Sequence, residues 1–379
     1  MKILFLNWKD IKNPAVGGAE IIVYELAKRL VKNGHVVTWF CGNFSGAKKE
    51  EVIDGIKIVR KGLPMDKGWD ILSKISMYIS APIYYWSLGS KPDLVIDMSN
   101  TIYWLTPLWA LKSRKLAYLN QFAKEVFFYE YPPIISHFGY LLEKFQYLIY
   151  RHTPFICYSN STKEDLIEAG IPSKNIRLFT LGIDHSRYFP GIKSKEPLFV
   201  CVNRLVKMKR TDLAIAAIDI VRKKYQNVKL VISGSGYERE RLEKLRERLN
   251  LKKNVIFLDK NIWFFNKSSK DKKVTAIQLA WALIFPSVKE GWGMTVTEAA
   301  ACGTPSIVSN VTGLRDSVIK DKTGLILSKN PSVQELSEAI IKIIENESLR
   351  TKLSQEAVLW AKNFNWDRSY REFKRVIMK

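Results

Sequence analysis

Two glutamates, Glu290 and Glu298, stand with seven residues between them, on either side of the loop Gly291-Trp292-Gly293. The apolar run Ala282–Pro286 ends just before this loop, and the Ala-rich stretch Thr295–Cys302 reads as a helix just after it. Glycines let the backbone come close to a ligand, and the loop amides with the dipole of the helix that follows attract an anion. Carboxylates cannot hold that same anion, so the two acids suit the hydroxyl groups of a sugar. A second cationic element follows the apolar run Leu198–Val202, where Arg204 and Lys209 leave the end of a strand. A guanidinium chelates phosphate oxygens and an ammonium adds a mobile point charge, so the pair suits a diphosphate leaving group. Near the start, Pro14-Ala15-Val16-Gly17-Gly18-Ala19-Glu20 places Gly17 and Gly18 between a strand and a helix, again a phosphate-friendly turn. Taken singly, each has a plainer reading: a structural Gly-Gly turn, surface-basic residues, an exposed helix glutamate.

The elements that must position these residues alternate in period. Short continuous apolar runs read as buried strands: Lys2–Leu6, Val36–Phe40, Leu94–Met98, Phe155–Ser159, Leu198–Val202, Lys229–Ser233, Asn254–Leu258, Ala282–Pro286 and Pro305–Ser309. Helical patterns fall between them at Ala19–Asn33, Thr162–Ala169, Asp212–Lys224, Glu238–Leu249, Thr295–Cys302 and Val333–Asn346. Apolar strands separated by helices predict an α/β protein with parallel sheets covered by helices on both faces. Two such series occur, and the aperiodic stretch Gly182–Pro197 between them reads as an interdomain linker.

The chain has 379 residues, enough for two full cores. Its 60 Lys and Arg against 37 Asp and Glu leave a formal charge of +23, which calls for an anionic partner. Nucleic acid is disfavoured because no helix-turn-helix, zinc or RNP pattern appears. The four cysteines, Cys41, Cys157, Cys201 and Cys302, lie far apart without metal or disulfide spacing, which favours a reducing, cytoplasmic setting. The first residues do not read as a signal peptide, and the apolar stretch Ile75–Leu88, interrupted by Pro82, falls short of the ~20 residues of a spanning helix. The run Lys267–Lys273 follows Trp263-Phe264-Phe265 and reads as a solvated lysine-rich loop, with a docking loop as the alternative. Aromatic residues crowd positions 69–140, from Trp69 to Tyr140. Most suit core packing, but their density together with the charge raises the expectation of peripheral contact with an anionic membrane.

The motifs together resemble the family 4 (group 1) retaining glycosyltransferases. Glu290 and Glu298 form that family's Glu-x7-Glu signature. Gly17-Gly18-Ala19-Glu20, Ser159-Asn160-Ser161-Thr162, Gly182-Ile183-Asp184 and Asn203-Arg204-Leu205 with Lys209 also match. So do Ser233-Gly234-Ser235-Gly236 and Gly313-Leu314-Arg315-Asp316, all in the family's order. The resemblance implies a GT-B fold, two Rossmann-like domains facing across a cleft. It places the acceptor-side domain at 1–185, with a C-terminal helix at 360–379 packing back on it, and the donor domain at 186–359. It implies metal-independent transfer of a hexose from a UDP- or GDP-linked donor to a glycan or lipid-linked acceptor, with no separate cofactor. Arg204 and Lys209 would hold the diphosphate, Glu290 the transferred sugar and Glu298 the ribose. Gly17, Gly18, Gly234, Gly291, Trp292, Gly293, Met294 and Thr295 would complete the donor site. One departure stands out. The family often carries histidine after the fourth strand of the first domain, where this chain has Leu119-Asn120-Gln121-Phe122. Asn120 or Gln121 can supply a hydrogen bond on the acceptor side but not a general base. Either the leaving phosphate acts as base, or the protein is a catalytically degenerate sugar-nucleotide-binding or scaffold relative of the same fold. His137, His152 and His185 read as structural or surface residues.

Overall fold

The computed structural model describes residues 1–65, 71–99, 101–258 and 271–378, and divides into two compact units. The first comprises Met1–Lys124, Phe138–Gly182 and Trp366–Lys379; the second comprises Glu125–His137 and Ile183–Asn365. Trp69 and the stretch 259–270, with Trp263-Phe264-Phe265 and Lys267–Lys270, lie outside the described residues.

In the first unit the strands are β1 (Lys2–Leu6), β2 (Val36–Gly42), β3 (Glu50–Ile53), β4 (Ile56–Lys61), β5 (Leu94–Ser99), β6 (Arg114–Leu119), β7 (Phe155–Cys157) and β8 (Ile176–Leu178). They form one sheet in the order β3-β4-β2-β1-β5-β6-β7-β8, in which only the β3–β4 pair is antiparallel. β1, β2 and β5 carry near-continuous buried apolar runs, as a sheet covered on both faces requires. The β3–β4 hairpin was not anticipated from the sequence, although its turn is encoded. Asp54 and Gly55 both adopt positive φ, 49° and 78°, as a two-residue hairpin turn demands. β6 and β8 also went unanticipated. β6 opens on Arg114 and Lys115, which leaves only the short apolar run Leu116–Leu119, and β8 has only one buried residue.

Pro82 does not interrupt its segment; it sits inside the helix Ile71–Ser87. A proline there costs about 3 kcal/mol. Ser73, Met77, Ala81 and Tyr85 recur every four residues as the buried face, and that packing carries the helix through the proline. No helix among the described residues is long and apolar enough to cross a membrane.

The second unit holds β9 (Leu198–Val202), β10 (Lys229–Ser233), β11 (Val255–Phe257), β12 (Ala282–Phe285), β13 (Ser306–Val308) and β14 (Gly324–Ile326). All pairs are parallel, in the order β11-β10-β9-β12-β13-β14. Its core joins β9, β10 and β12 to the helices Thr211–Val221 and Val333–Glu345 through Phe199, Ile215, Ile218, Ile284, Leu336 and Ile340. Strand order reverses between β9 and β12, and at such a point the loops leaving the two carboxyl ends diverge and open a crevice. The first sheet has the same switch between β1 and β5.

The stretch Gly182–Pro197 is less a linker than expected. Gly182 closes the first unit, where an added Cβ would lie 2.3 Å from Trp366. From Ile183 on, the chain packs into the second unit: Tyr188 is buried and Arg187 pairs with Asp271 at 2.6 Å. At the other end, Trp360 and Phe364 stay with the second unit, Phe364 against Trp292 at 5.4 Å. The first unit resumes at Trp366, whose helix Trp366–Ile377 packs Phe373 on Phe179 and pairs Asp367 with Arg29.

Candidate functional site

The loops that leave β9 and β12 at the switch point carry most of the residues singled out from sequence. After β9 come Asn203, the exposed Arg204, Leu205 and a tight turn Lys207–Lys209; Arg210, at φ 50°, then opens the helix Thr211–Val221. After β12 come Pro286 to Gly293 and the helix Met294–Ala301. A backbone bond stitches the loops together, Val288 N–H donating to Met208 C=O at 2.9 Å. This brings the ammonium of Lys209 onto the carboxylate of Glu290, both of them buried. The Lys209 ammonium also lies 5.4 Å from the centre of the Phe285 ring. Burial pushes its pKa below the ordinary lysine value; Glu290 opposes that shift and the positive charge of Arg204 adds to it.

Steric fit fixes the Glu290 loop. Gly313, at φ 81°, lies so close that a Cβ would stand 2.4 Å from the Glu290 carbonyl oxygen. Gly293, at φ 85°, is the residue preceding the helix, and a Cβ there would meet Leu314 at 2.7 Å. The loop that carries Glu290 thus runs through Gly293 directly into the helix Met294–Ala301. Gly291 and Trp292 are buried in the same bend. Asn203 Nδ2, Ser287 Oγ and Trp292 Nε1 are buried donors without a hydrogen-bond acceptor, a costly state for groups around this crevice.

Glu298 lies on the inner face of the helix Met294–Ala301 and accepts a hydrogen bond from Lys273 Nζ at 2.8 Å. The same ammonium donates to the Tyr188 hydroxyl at 3.0 Å. Burial disfavours the charge on Lys273, but the Glu298 carboxylate and Tyr188 outweigh it and raise its pKa above the ordinary value. Lys273 corrects the reading of 267–273 as a solvated run: it is 3% exposed. Nothing in the sequence separates it from its lysine neighbours except its place in the first turn of the helix Lys272–Leu279, two residues after the Asp271 cap.

Gly234 and Gly236 follow β10 and cover the Arg204 loop. Leu205 N–H donates to Ser235 C=O at 2.8 Å, and a Cβ on Gly236 would stand 2.1 Å from Leu205 O. Sequence reasoning also missed Glu130. Its carboxylate accepts from Met208 N–H at 2.9 Å and binds the Tyr237 hydroxyl, which in turn accepts from Lys207 N–H. Residues 125–137, grouped by sequence with the first domain, thereby brace the Lys209 turn. Of the Leu258–Lys260 stretch only Leu258 is among the described residues.

In the first unit, Gly17 and Gly18 sit at the β1–β5 switch point, where Gly17 N–H donates to Glu20 Oε2 at 2.7 Å and Gly18 opens the helix Gly18–Lys32. Asn120 follows β6 directly. Its Nδ2 donates to Ser99 C=O at 3.0 Å and its Oδ1 accepts from the Tyr158 hydroxyl at 3.2 Å, so its amide braces the strand ends. Gln121 is half-buried beside it. His137 and His185 face backbone carbonyls, Pro133 O and Phe364 O, and His152 is exposed. Among the described residues no three His, Cys, Asp or Glu side chains gather as a metal-ion set.

Comparison with known proteins agrees with this picture. Residues 183–360 match the model of glycosyl transferases group 1, and residues 16–187 match that of Glycosyltransferase Family 4. The chain is 25% identical to an uncharacterised glycosyltransferase of Methanocaldococcus jannaschii, over 99% of this chain and 98% of that one. Among solved structures, sucrose-phosphate synthase of Thermosynechococcus elongatus superposes with a TM-score of 0.79 at 20% identity, covering 100% and 98% of the two chains. Anabaena HepE, solved with UDP-glucose, superposes at 0.75 with 16% identity, covering 100% and 99%. The shared architecture is the GT-B fold of two parallel-sheet α/β domains.

Proposed function

Since this chain belongs to the group 1 glycosyltransferases, whose two models between them span residues 16–360, we propose that it moves a hexose from a nucleotide diphosphate sugar to a glycan or lipid-linked acceptor, retaining anomeric configuration. The observation that carries this reading is the buried Lys209–Glu290 pair beside Arg204 and a helix start, at the β9–β12 switch point. In this reading Arg204, Lys209 and the amides of Met294 and Thr295 take the diphosphate. Glu290 turns from Lys209 to the sugar hydroxyls as the phosphates take up the ammonium, and Glu298 holds the ribose. Fixed positive groups stabilise the diphosphate as the bond from the anomeric carbon to phosphate oxygen breaks. The acceptor oxygen bonds to that carbon on the same face, and its proton passes to the departing phosphate oxygen. Two protein cations supply the charge, so transfer proceeds without a metal. Four buried thiols support a reducing, cytoplasmic setting.

HepE was solved with UDP-glucose, which makes that donor the first to test. The experiment is a panel of UDP- and GDP-sugars assayed for binding by thermal shift and for transfer or hydrolysis, with and without EDTA. Turnover with one donor, unaffected by EDTA and lost in Glu290→Gln and Lys209→Met, supports the proposal. A second reading, a sugar-nucleotide binder without turnover, is favoured by Asn120, whose amide is committed to Ser99 and Tyr158 and offers no base. Donor binding without turnover across acceptor extracts supports that second reading instead.

A further inference from the structure

The helix Pro133–Ile149 is turned inside out. Its inward face sets polar groups beside the core residue Tyr147: Glu143 accepts from the N–H groups of Ala123 and Lys124 at 2.6 and 2.8 Å, and Gln146 accepts from Tyr103 N–H at 2.8 Å and donates to Thr101 C=O at 3.1 Å. Its outward face is apolar, with Phe138 68%, Phe145 60% and Leu148 67% exposed. The helix Ile71–Ser87 also has an apolar outward face, exposing Leu72, Ile75, Ile79, Ile83 and Trp86, while Ser73, Met77, Ala81 and Tyr85 form its buried face. Both helices hold the segment 101–109: Tyr78 donates to Ile102 C=O at 2.6 Å and Trp86 to Trp109 C=O at 3.3 Å on one side, and Gln146 grips Thr101 and Tyr103 on the other. Beside it Leu108 and Leu111 are exposed as well.

An apolar face of this extent on a water-soluble surface is costly unless something covers it. Charge selects the cover. Across residues 71–91, 101–115 and 133–151 the one carboxylate is Glu143, which faces inward, while lysines and arginines punctuate the surface, the exposed Lys112 and Lys144 among them. A second copy of a chain carrying +23 would bring like charge against like. An anionic bilayer instead accepts the apolar side chains at the acyl boundary and the cations at its headgroups, with Trp86 and Tyr140 suited to the level between. We infer that these two helices form a membrane-docking surface for a bilayer rich in anionic lipid. This rests on the lipid-linked branch of the acceptor reading for its purpose, though not for its test.

The test is co-flotation of the full chain with vesicles of phosphatidylcholine alone and with about 30% phosphatidylglycerol. Wild type should float with the anionic vesicles, at least tenfold more than with neutral ones. Phe145→Glu/Leu148→Glu and Ile79→Glu/Ile83→Glu alter exposed positions only; each should cut flotation at least tenfold while the thermal midpoint and donor binding stay unchanged. Failure of the wild type to float, or flotation untouched by both variants, overturns the inference. So does a dimer in light scattering that the variants dissociate. Because the readout needs no turnover, its failure is separable from failure of the glycosyltransfer reading.

Discussion

Lys209 and Glu290 neutralise each other in a buried place, and each becomes a liability without its partner. Removing one member of such a pair leaves an uncompensated charge, whereas the pair itself contributes little net stability. Glu290→Gln keeps shape and hydrogen bonding, so it isolates the charge. Its transfer rate should fall about 100-fold or more, as for loss of one electrostatic contact to a reacting centre, while circular dichroism stays native. A rate within severalfold of wild type would remove Glu290 from the site. Lys273 acts one step away, through Glu298. Lys273→Met leaves that carboxylate buried without its ammonium and should raise the donor KM about tenfold, in the range of a lost charged hydrogen bond, with kcat changed much less. A fall in kcat at constant KM would contradict a ribose-side role.

At the scale of elements, the site depends on loops that lie against one another without side chains between them. Gly236 against Leu205 is the tightest such contact around Arg204. Gly236→Ala should cost about 1–3 kcal/mol, the range for overpacking a filled space, and should weaken donor binding because Arg204 moves with Leu205; a native denaturation midpoint would refute the contact. The segment leading out of Ile183 adds a titrating group. Lys193 Nζ donates to Thr304 Oγ1 at 2.6 Å, and burial lowers its pKa to about 8 from the ordinary 10.5. Between these values the unfolded chain holds a proton that the folded chain lacks, so stability rises with pH across that window and the contribution is lost as pH falls through it. Lys193→Met should flatten that rise. Urea midpoints near pH 8 and pH 10, measured for both proteins, check it.

For the whole molecule the dominant quantity is the +23 charge. A cationic protein gathers an anionic nucleotide sugar by long-range attraction, which salt screens over a Debye length of about 10 Å at 0.1 M. Donor KM should therefore climb severalfold between about 25 and about 250 mM salt with kcat nearly constant. Flat salt dependence would mean that the surplus charge serves another surface, such as the lysine-flanked helices Ile71–Ser87 and Pro133–Ile149.

Residue order alone determined the two α/β units and which residues follow β9 and β12, because buried parallel strands must be continuous apolar runs and because tight turns need glycine. Arg204, Lys209, Glu290 and the Gly291–Thr295 bend were legible for that reason, each following a strand whose end is local information. Folding in three dimensions decided what the local signal does not contain. Lys273 looks like any lysine in a basic run until the helix Lys272–Leu279 turns it inward onto Glu298. Glu130 lies 78 residues from Met208 and braces it only once residues 125–137 join the second unit. Asn120, a free amide on paper, is consumed by Ser99 and Tyr158. The helix Pro133–Ile149 is not among the helical stretches read from the sequence, and periodicity in any case shows that two faces differ but not which of them meets water.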